Sequence, residues 1–487
     1  MEVRESETNF AISVGAILGC TLLAASCAAS AAAQSNPSSA ANPFFGSVTV
    51  TPVTDQPLQL SMDDAIRRGL ENNLGLKQAE NAEKAIHAEQ NVALQQFLPT
   101  ILLTGDTGFY QHNLAAQGFG PGLTSKFGSI FAGGKIPNIP LITKDTLTEG
   151  TLRFQEILFS GPVIAGYKAA GAASRAAHFS KMTARGEVVQ QVASAYLRAI
   201  SAASDVENAR ALEQADLAQL NNAHEQHVAG VTANLDELRA RVQYLAQQQA
   251  RLSAEATSQK ALILLKREIG VAPGQQISLT DRAPYSELAV QSLSQLRVTA
   301  YKSRQDYQRV LNEQVELKAV HQAYRSQRLP TLSFVSNYGV QQIGGVGSHG
   351  TWTAMGNLSF PIFREAALRG DIDASRAQVE AIDAQLADLR SRIDQQLRAA
   401  VLDVNAASKL VEVARSNVDL ATRALADESQ RVSAGVDDTL PLVQAQASLA
   451  FAQSNLIQSL YTFNTAKLGL ARAAGVLETQ YRDYLGR

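Results

Sequence analysis

Few residues in this chain have the types and spacing that do chemistry, and the nearest approach to a catalytic pattern is His224-Glu-Gln-His227. It is one residue short of the zinc-protease HExxH signature: the imidazoles fall at i and i+3, and the sequence offers no third ligand beside them. A metal site is therefore not expected. No nucleophile elbow, P-loop or dinucleotide fingerprint is present, and the scattered Gly-rich stretches read as loops. Both cysteines, Cys20 and Cys27, lie in one apolar run from Ala11 to Ala33. That run ends in Ala31-Ala32-Ala33 before Gln34 and reads as a secretory signal over 1–33, removed after export. Its charged start is abnormal, because Glu2, Glu5 and Glu7 outweigh Arg4, so the true start codon stays open, as do an uncleaved membrane anchor and lipidation of either cysteine. Without cysteines, a mature chain has no disulfide, thiolate catalysis or Cys-based metal site. The expectation is no enzyme and no cofactor.

What remains to be positioned is not a reaction centre but a set of turns and faces. The chain has 487 residues, 45% hydrophobic and 18% charged, with a formal net charge of −2. No dense Lys/Arg stripe is present, which argues against nucleic acid as a partner. A mean hydropathy of −0.08 looks soluble, yet alternating strands of a membrane barrel average out the same way.

Apolar residues at Val379, Ile382, Leu386, Leu389, Ile393, Leu397, Ala400, Val404, Ala407, Val411, Ala414, Val418, Ala421 and Leu425 step by three and four residues. This is a coiled-coil seam, with one relaxed four-four step at Leu389, Ile393 and Leu397. A helix from Ala366 to Arg431 would be on the order of 100 Å long at about 1.5 Å per residue. A break follows at Val432-Ser-Ala-Gly-Val-Asp-Asp438, and a second long helix returns to Gly475.

The same programme occurs earlier. Ser61 caps a helix expected to run to Phe97, and Leu98-Pro99 stops it. Strands are expected over about 100–110 and 148–159, then a helix from Pro162, a tip near Gly230 and a return to Gly270. In the second half a helix over Leu293 to Arg328 precedes Leu329-Pro330, strands over 331–341 and 351–360, and the long hairpin with its tip near Gly435. Gly435 lies 205 residues after Gly230, and Leu329-Pro330 lies 231 after Leu98-Pro99. The first half therefore carries about 26 extra residues between its strands, where length is tolerated.

In the strands, Leu332, Phe334, Tyr338 and Val340 alternate with Ser333, Asn337 and Gln341; Trp352, Ala354, Leu358 and Phe360 alternate with Thr353, Asn357 and Ser359. One greasy and one polar face suit a barrel with lipid outside and water inside. Four strands cannot close a pore, and open edges are not tolerated in lipid, so identical chains must share one barrel. The alternative of a different class is a structural coiled-coil envelope protein capped by a small sheet.

The order and its motifs resemble the TolC-like outer membrane efflux protein family, from about Leu58 to Gly475. Matching segments are Asp64-Ala65 through Glu71-Asn72-Asn73, Leu98-Pro99, Val228-Ala-Gly-Val231 with Leu235-Asp236, Leu329-Pro330-Thr331-Leu332-Ser333, Pro361-Ile362-Phe363, Ala434-Gly435-Val436-Asp437 and Ala474-Gly475. Each is weak alone; together, twice in order, they are specific. The resemblance implies a mainly α fold with membrane β: a duplicated helix-strand-strand-long hairpin repeat, with antiparallel hairpins forming a periplasmic tunnel below a trimeric barrel in the outer membrane. The expected divisions are 34–57 extended, 58–275 first repeat, 276–292 equatorial linker, 293–475 second repeat and 476–487 tail. It implies an exit duct that docks onto a periplasmic adapter coupled to an inner-membrane transporter. The tip residues expected to engage the adapter are Val228, Gly230, Val231, Arg431, Val432, Ser433, Gly435 and Val436. Acidic gating at the entrance is implied past the second tip, but Leu235-Asp236 maps there onto Leu440-Pro441. Asp236, Asp437 and Asp438 are left as candidates, the last two equally readable as a helix cap and first-turn charge. A channel of type I protein secretion stays open beside small-molecule efflux.

Overall fold

The computed structural model describes residues 39–113, 142–230, 233–281, 285–344, 347–434 and 439–486. In chain order the elements are β1 (Leu58–Leu60), α1 (Met62–Asn72), α2 (Leu74–Gln95), β2 (Thr100–Asn113), β3 (Ile142–Phe159), α3 (Gly161–Val228) and α4 (Asn234–Ile269). Then follow β4 (Ile277–Leu279), α5 (Leu293–Ser303), α6 (Gln305–Ser326), β5 (Thr331–Ile343), β6 (His349–Ser359), α7 (Glu365–Ser433), α8 (Thr439–Ala473) and α9 (Leu477–Leu485).

α7 is continuous over 69 residues and α3 over 68, each on the order of 100 Å. The seam of α7 is buried from Ile382 through Ala414, including Ile393, Leu397 and Val411, which lose all contact with solvent. Burying side chains of this size stabilises by roughly 1.5–3 kcal/mol each, which is what holds so long a helix against its neighbours.

Four differences from the sequence expectation have local causes. The helix expected over 61–97 breaks at Asn73, whose side chain accepts from the amides of Gly75 and Leu76 and donates to the Phe44 carbonyl at 2.7 Å. An N-cap inside a run that reads as helical looks, in sequence, like any exposed asparagine. The helix expected over Leu293–Arg328 breaks at Arg304, 231 residues later, where the guanidinium holds Asp306 and the Ala473 carbonyl. The linker 276–292 is not wholly irregular, because β4 pairs in parallel with β1. The tail 476–487 is largely helical: in α9, Leu477 and Leu485 are buried and Tyr481 donates to Asp63 at 2.6 Å.

These parts meet in a waist built from both halves. Tyr196 of α3 is fully buried, and its single hydroxyl proton is shared between the Leu60 carbonyl and the Asp281 carboxylate, each 2.8 Å away. Glu478 of α9 takes Arg185 of α3 at 2.6 Å. β1 and the C-terminal α9 are thereby both tied to α3.

The other sheet has the order β2-β3-β5-β6, all antiparallel, so the β3–β5 pairing joins the two halves. Each strand extends beyond the expected 100–110, 148–159, 331–341 and 351–360 at one end, to Asn113, Ile142, Ile343 and His349; β6 stops one residue earlier at the other, at Ser359. Most of the extra residues, such as Gln111 against Lys144, are polar and give no sustained apolar alternation, but the ladder pairs backbones whatever the side chains.

Candidate functional site: strand faces and hairpin tips

Register decides which residues share a face. Leu103, Leu152, Tyr338 and Trp352 form one row across all four strands, beside a second row of Ile101, Phe154, Ser336 and Ala354. Phe154 and Phe334 meet edge to face on this side, their centroids 5.9 Å apart. The opposite face carries the rows Leu102, Arg153, Asn337 and Thr353, then Thr104, Thr151, Gly339 and Thr351, then Asp106, Glu149, Gln341 and His349. Leu103, Tyr338, Trp352 and Leu358 are exposed large apolar side chains on the first face. An apolar face that nothing among the described residues covers, backed by a charged and amide-rich face, is the pattern of a wall between lipid and water. Strands of 11 to 18 residues are long enough to cross a bilayer when tilted. Among the described residues no helix is long and apolar enough to cross a membrane.

At the first hairpin tip α3 ends at Val228, capped by Ala229, and the chain turns at Gly230, whose φ of 72° is left-handed and whose amide donates to the His227 carbonyl at 3.0 Å. Val228 beside it is exposed. Asp236 lies in the first turn of α4 with Arg239 at 3.4 Å, a position that favours negative charge at a helix start. At the second tip Arg431, Val432 and Ser433 form the last turn of α7, and Arg431 stands 4.0 Å from Glu428. Val231, Gly435, Val436, Asp437 and Asp438 lie outside the described residues, as do the signal over 1–33 with Cys20 and Cys27 and most of the loop between β2 and β3.

The two histidines have a partner that sequence spacing along one helix could not supply. Glu237, across the turn on α4, accepts from His224 Nδ1 at 3.1 Å and His227 Nδ1 at 2.7 Å. Hydrogen bonds from His227 and then His224 hold its carboxyl below the usual carboxylate range. The cluster clips α3 to α4; among the described residues no group of three or more His, Cys, Asp and Glu has the arrangement to hold a metal ion.

A feature missed in the sequence is an apolar cleft of about 340 Å³ between the return helices, lined by Leu235, Leu238 and Val242 of α4 and by Leu440 and Val443 of α8. The signal was there as a three-four spacing of exposed leucine and valine, but which helix it faced was not. Deeper in the waist, burial pushes Glu268 up to about 8, with Gln191 donating at 3.0 Å and partly offsetting it. Burial likewise pushes Lys467 down to about 8; its ammonium donates to the Ser286 carbonyl at 3.1 Å.

A two-faced sheet carried on helices of such length defines a channel-forming envelope protein. The sequence profile of the outer membrane efflux proteins matches residues 145–271 and 298–476, and the chain belongs to that family. It is 24% identical over 346 residues, 67% of this chain and 69% of the other, to the alkaline protease secretion protein AprF of Pseudomonas aeruginosa. Its fold is similar to the Campylobacter jejuni outer membrane channel CmeC, with a TM-score of 0.70 at 14% identity over 94% of this chain and 97% of that one. The outer membrane protein VceC from Vibrio cholerae gives 0.69 at 17% identity over 85% and 96%. The protein is thus an exit channel of the outer membrane, its helices forming the tunnel on the periplasmic side.

Proposed function

We propose that this chain is the exit duct of a tripartite efflux system, working as a homotrimer that passively conducts substrate handed over by a periplasmic adapter and an inner-membrane transporter. The observation that carries this reading is the four-stranded sheet with one apolar and one polar face and an outer strand at each side, β2 and β6, bonded to one neighbour within the chain. An unpaired edge in lipid costs several kcal/mol per polar group, so β2 and β6 need partners, and identical chains supply them. Residues 58–275 and 293–475 act as two repeat units of one wall, with 276–292 and the chain ends as its belt. The tips engage the adapter through Val228, Gly230, Val231, Arg431, Val432, Ser433, Gly435 and Val436; Asp236, Asp437 and Asp438 place negative charge at the entrance. The duct performs no chemistry and needs no cofactor.

The similarity to a protein named for alkaline protease secretion favours a second reading of the cargo, a polypeptide passed by a type I secretion system. Deleting the gene separates the two: loss of a secreted protein from the medium supports secretion, and increased sensitivity to small toxic compounds supports efflux. The duct itself is tested by membrane fractionation and the mass of detergent-extracted protein. Recovery in the outer membrane as a trimer is expected; a soluble monomer or dimer would leave an envelope coiled-coil protein instead.

A further inference from the structure

The two halves of the sheet are related by a numerical rule that the pairing itself obeys. Adding 231 to a β2 residue and 204 to a β3 residue gives the corresponding positions of β5 and β6; the offsets are those of the Leu-Pro stops and of Phe159 to Phe363. Thr100 pairs with Gln155, and the rule returns Thr331 with Ser359; Leu103 pairs with Leu152, and it returns Phe334 with Gly356. Both returned pairs are the observed ones. The β2–β3 register is therefore reproduced in β5–β6 without a slip.

The same rule can be applied to the one pairing that joins the halves. In β3–β5, Arg153 lies opposite Asn337, Phe154 opposite Ser336 and, after a bulge, Phe159 opposite Leu332. Moving the β3 member forward by 204 and the β5 member back by 231 places the first on β6 and the second on β2, the two outer strands. They are at opposite sides of the sheet and cannot meet within one chain.

We infer that β6 of one copy pairs with β2 of a second copy in a defined register, Asn357 opposite Asp106, Leu358 opposite Gly105, Phe360 opposite Leu103 and Phe363 opposite Ile101. This rests on the shared-barrel reading above and goes beyond it by fixing which residues meet. Two observations independent of the rule agree with it. The register keeps faces together: Phe360 and Leu358 join Leu103 on the apolar side, while Asn357 and Ser359 join Asp106 and Thr104 on the polar side, whereas a slip of one residue would mix them. It also supplies a partner for one of the most exposed apolar side chains among the described residues, Phe363. Phe363, four residues past the end of β6, is 98% exposed, and Ile101 is 62% exposed. Phe159, the counterpart of Phe363, has its partner Leu332 already.

A slip of two residues preserves the faces and is the rival that an experiment must exclude. The test is cross-linking in the outer membrane of the full-length protein carrying Asp106→Cys with Asn357→Cys, against Thr104→Cys with Asn357→Cys and Asn357→Cys alone, using the shortest bifunctional methanethiosulfonate. Directly opposed residues have Cβ atoms about 5 Å apart and diagonal ones about 7–8 Å. The expected result is reducible covalent dimer and trimer bands for the D106C/N357C pair, with the other two variants remaining single chains in denaturing gels. Preferential linking of the T104C/N357C pair, or no linking of D106C/N357C in protein that still extracts as a trimer, overturns the register and leaves the shared barrel standing. Extraction of the parent protein as a monomer overturns both.

Discussion

Glu268 is fully buried, takes one hydrogen bond from Gln191 on Oε1 and leaves Oε2 without a partner. A carboxylate in that setting is costly, so the folded chain keeps the proton up to about pH 8. Because the folded value is raised above the ordinary one, the stability this group contributes is complete below about 4.5 and is lost as pH rises through about 8. The thermal midpoint of the wild-type protein is therefore expected to fall between pH 5 and 9. Glu268→Gln keeps an acceptor for Gln191 and removes the titration, so its midpoint should vary less, the difference at pH 9 being on the order of a few kcal/mol. Parallel profiles for the two proteins would contradict this account. Neither this residue nor the Glu237 bridge was legible in the sequence. His224 and His227 could be read as a pair on one helix face, but Glu237 reaches them only because the chain turns at Gly230, and Glu268 is one of many charged helix residues until the belt closes over it.

At the scale of the element, the long helices and the strand faces were readable because each rests on a period sustained over many residues: three-four steps in α7, and alternation in β5 and β6. The interruptions were not, since Asn73 and Arg304 break their helices through side-chain bonds to distant backbone, to Phe44 and Ala473. The glycines that close the hairpins divide in the same way. Gly230 and Gly475 have nearly the same left-handed φ, 72° and 76°, but a Cβ on Gly230 would meet open space, whereas on Gly475 it would lie 2.7 Å from the Arg304 amide nitrogen. Gly230→Ala is expected to cost only the conformational strain, about 1 kcal/mol. Gly475→Ala must also displace the α5–α6 junction and should cost several times as much. Denaturant or thermal unfolding of the extracted trimer measures both, and equal losses would mean that the junction yields freely.

Across the whole molecule, the apolar surface left uncovered by one chain is organised, which argues about what the chain is for. On α7 the side chains of Leu402, Leu410, Val413 and Leu420 are exposed on one stripe away from the buried seam, and on α4 Leu235, Leu238, Val242, Leu245 and Leu252 step by three, four, three and seven. Heptad spacing of this kind is maintained where another helix packs, not where a helix faces water. Within the chain α3 lies against α8, tied by Arg472 and Glu187. On the proposed shared-barrel reading the corresponding pair between copies is α7 against α4, and the exposed stripes belong to those two helices. Val413→Glu places a charge in that seam and is expected to abolish the trimer while leaving the hairpins helical by circular dichroism. Val228 is equally greasy and more exposed, 73% against 57%, yet it lies at the hairpin tip. On the proposed docking of the tips onto an adapter, Val228→Glu should extract as a normal trimer and fail in export. If V413E extracts as a trimer, its stripe lines the water-filled bore or open solvent and the copies meet elsewhere; if V228E dissociates, the tips hold the duct together as well as dock it.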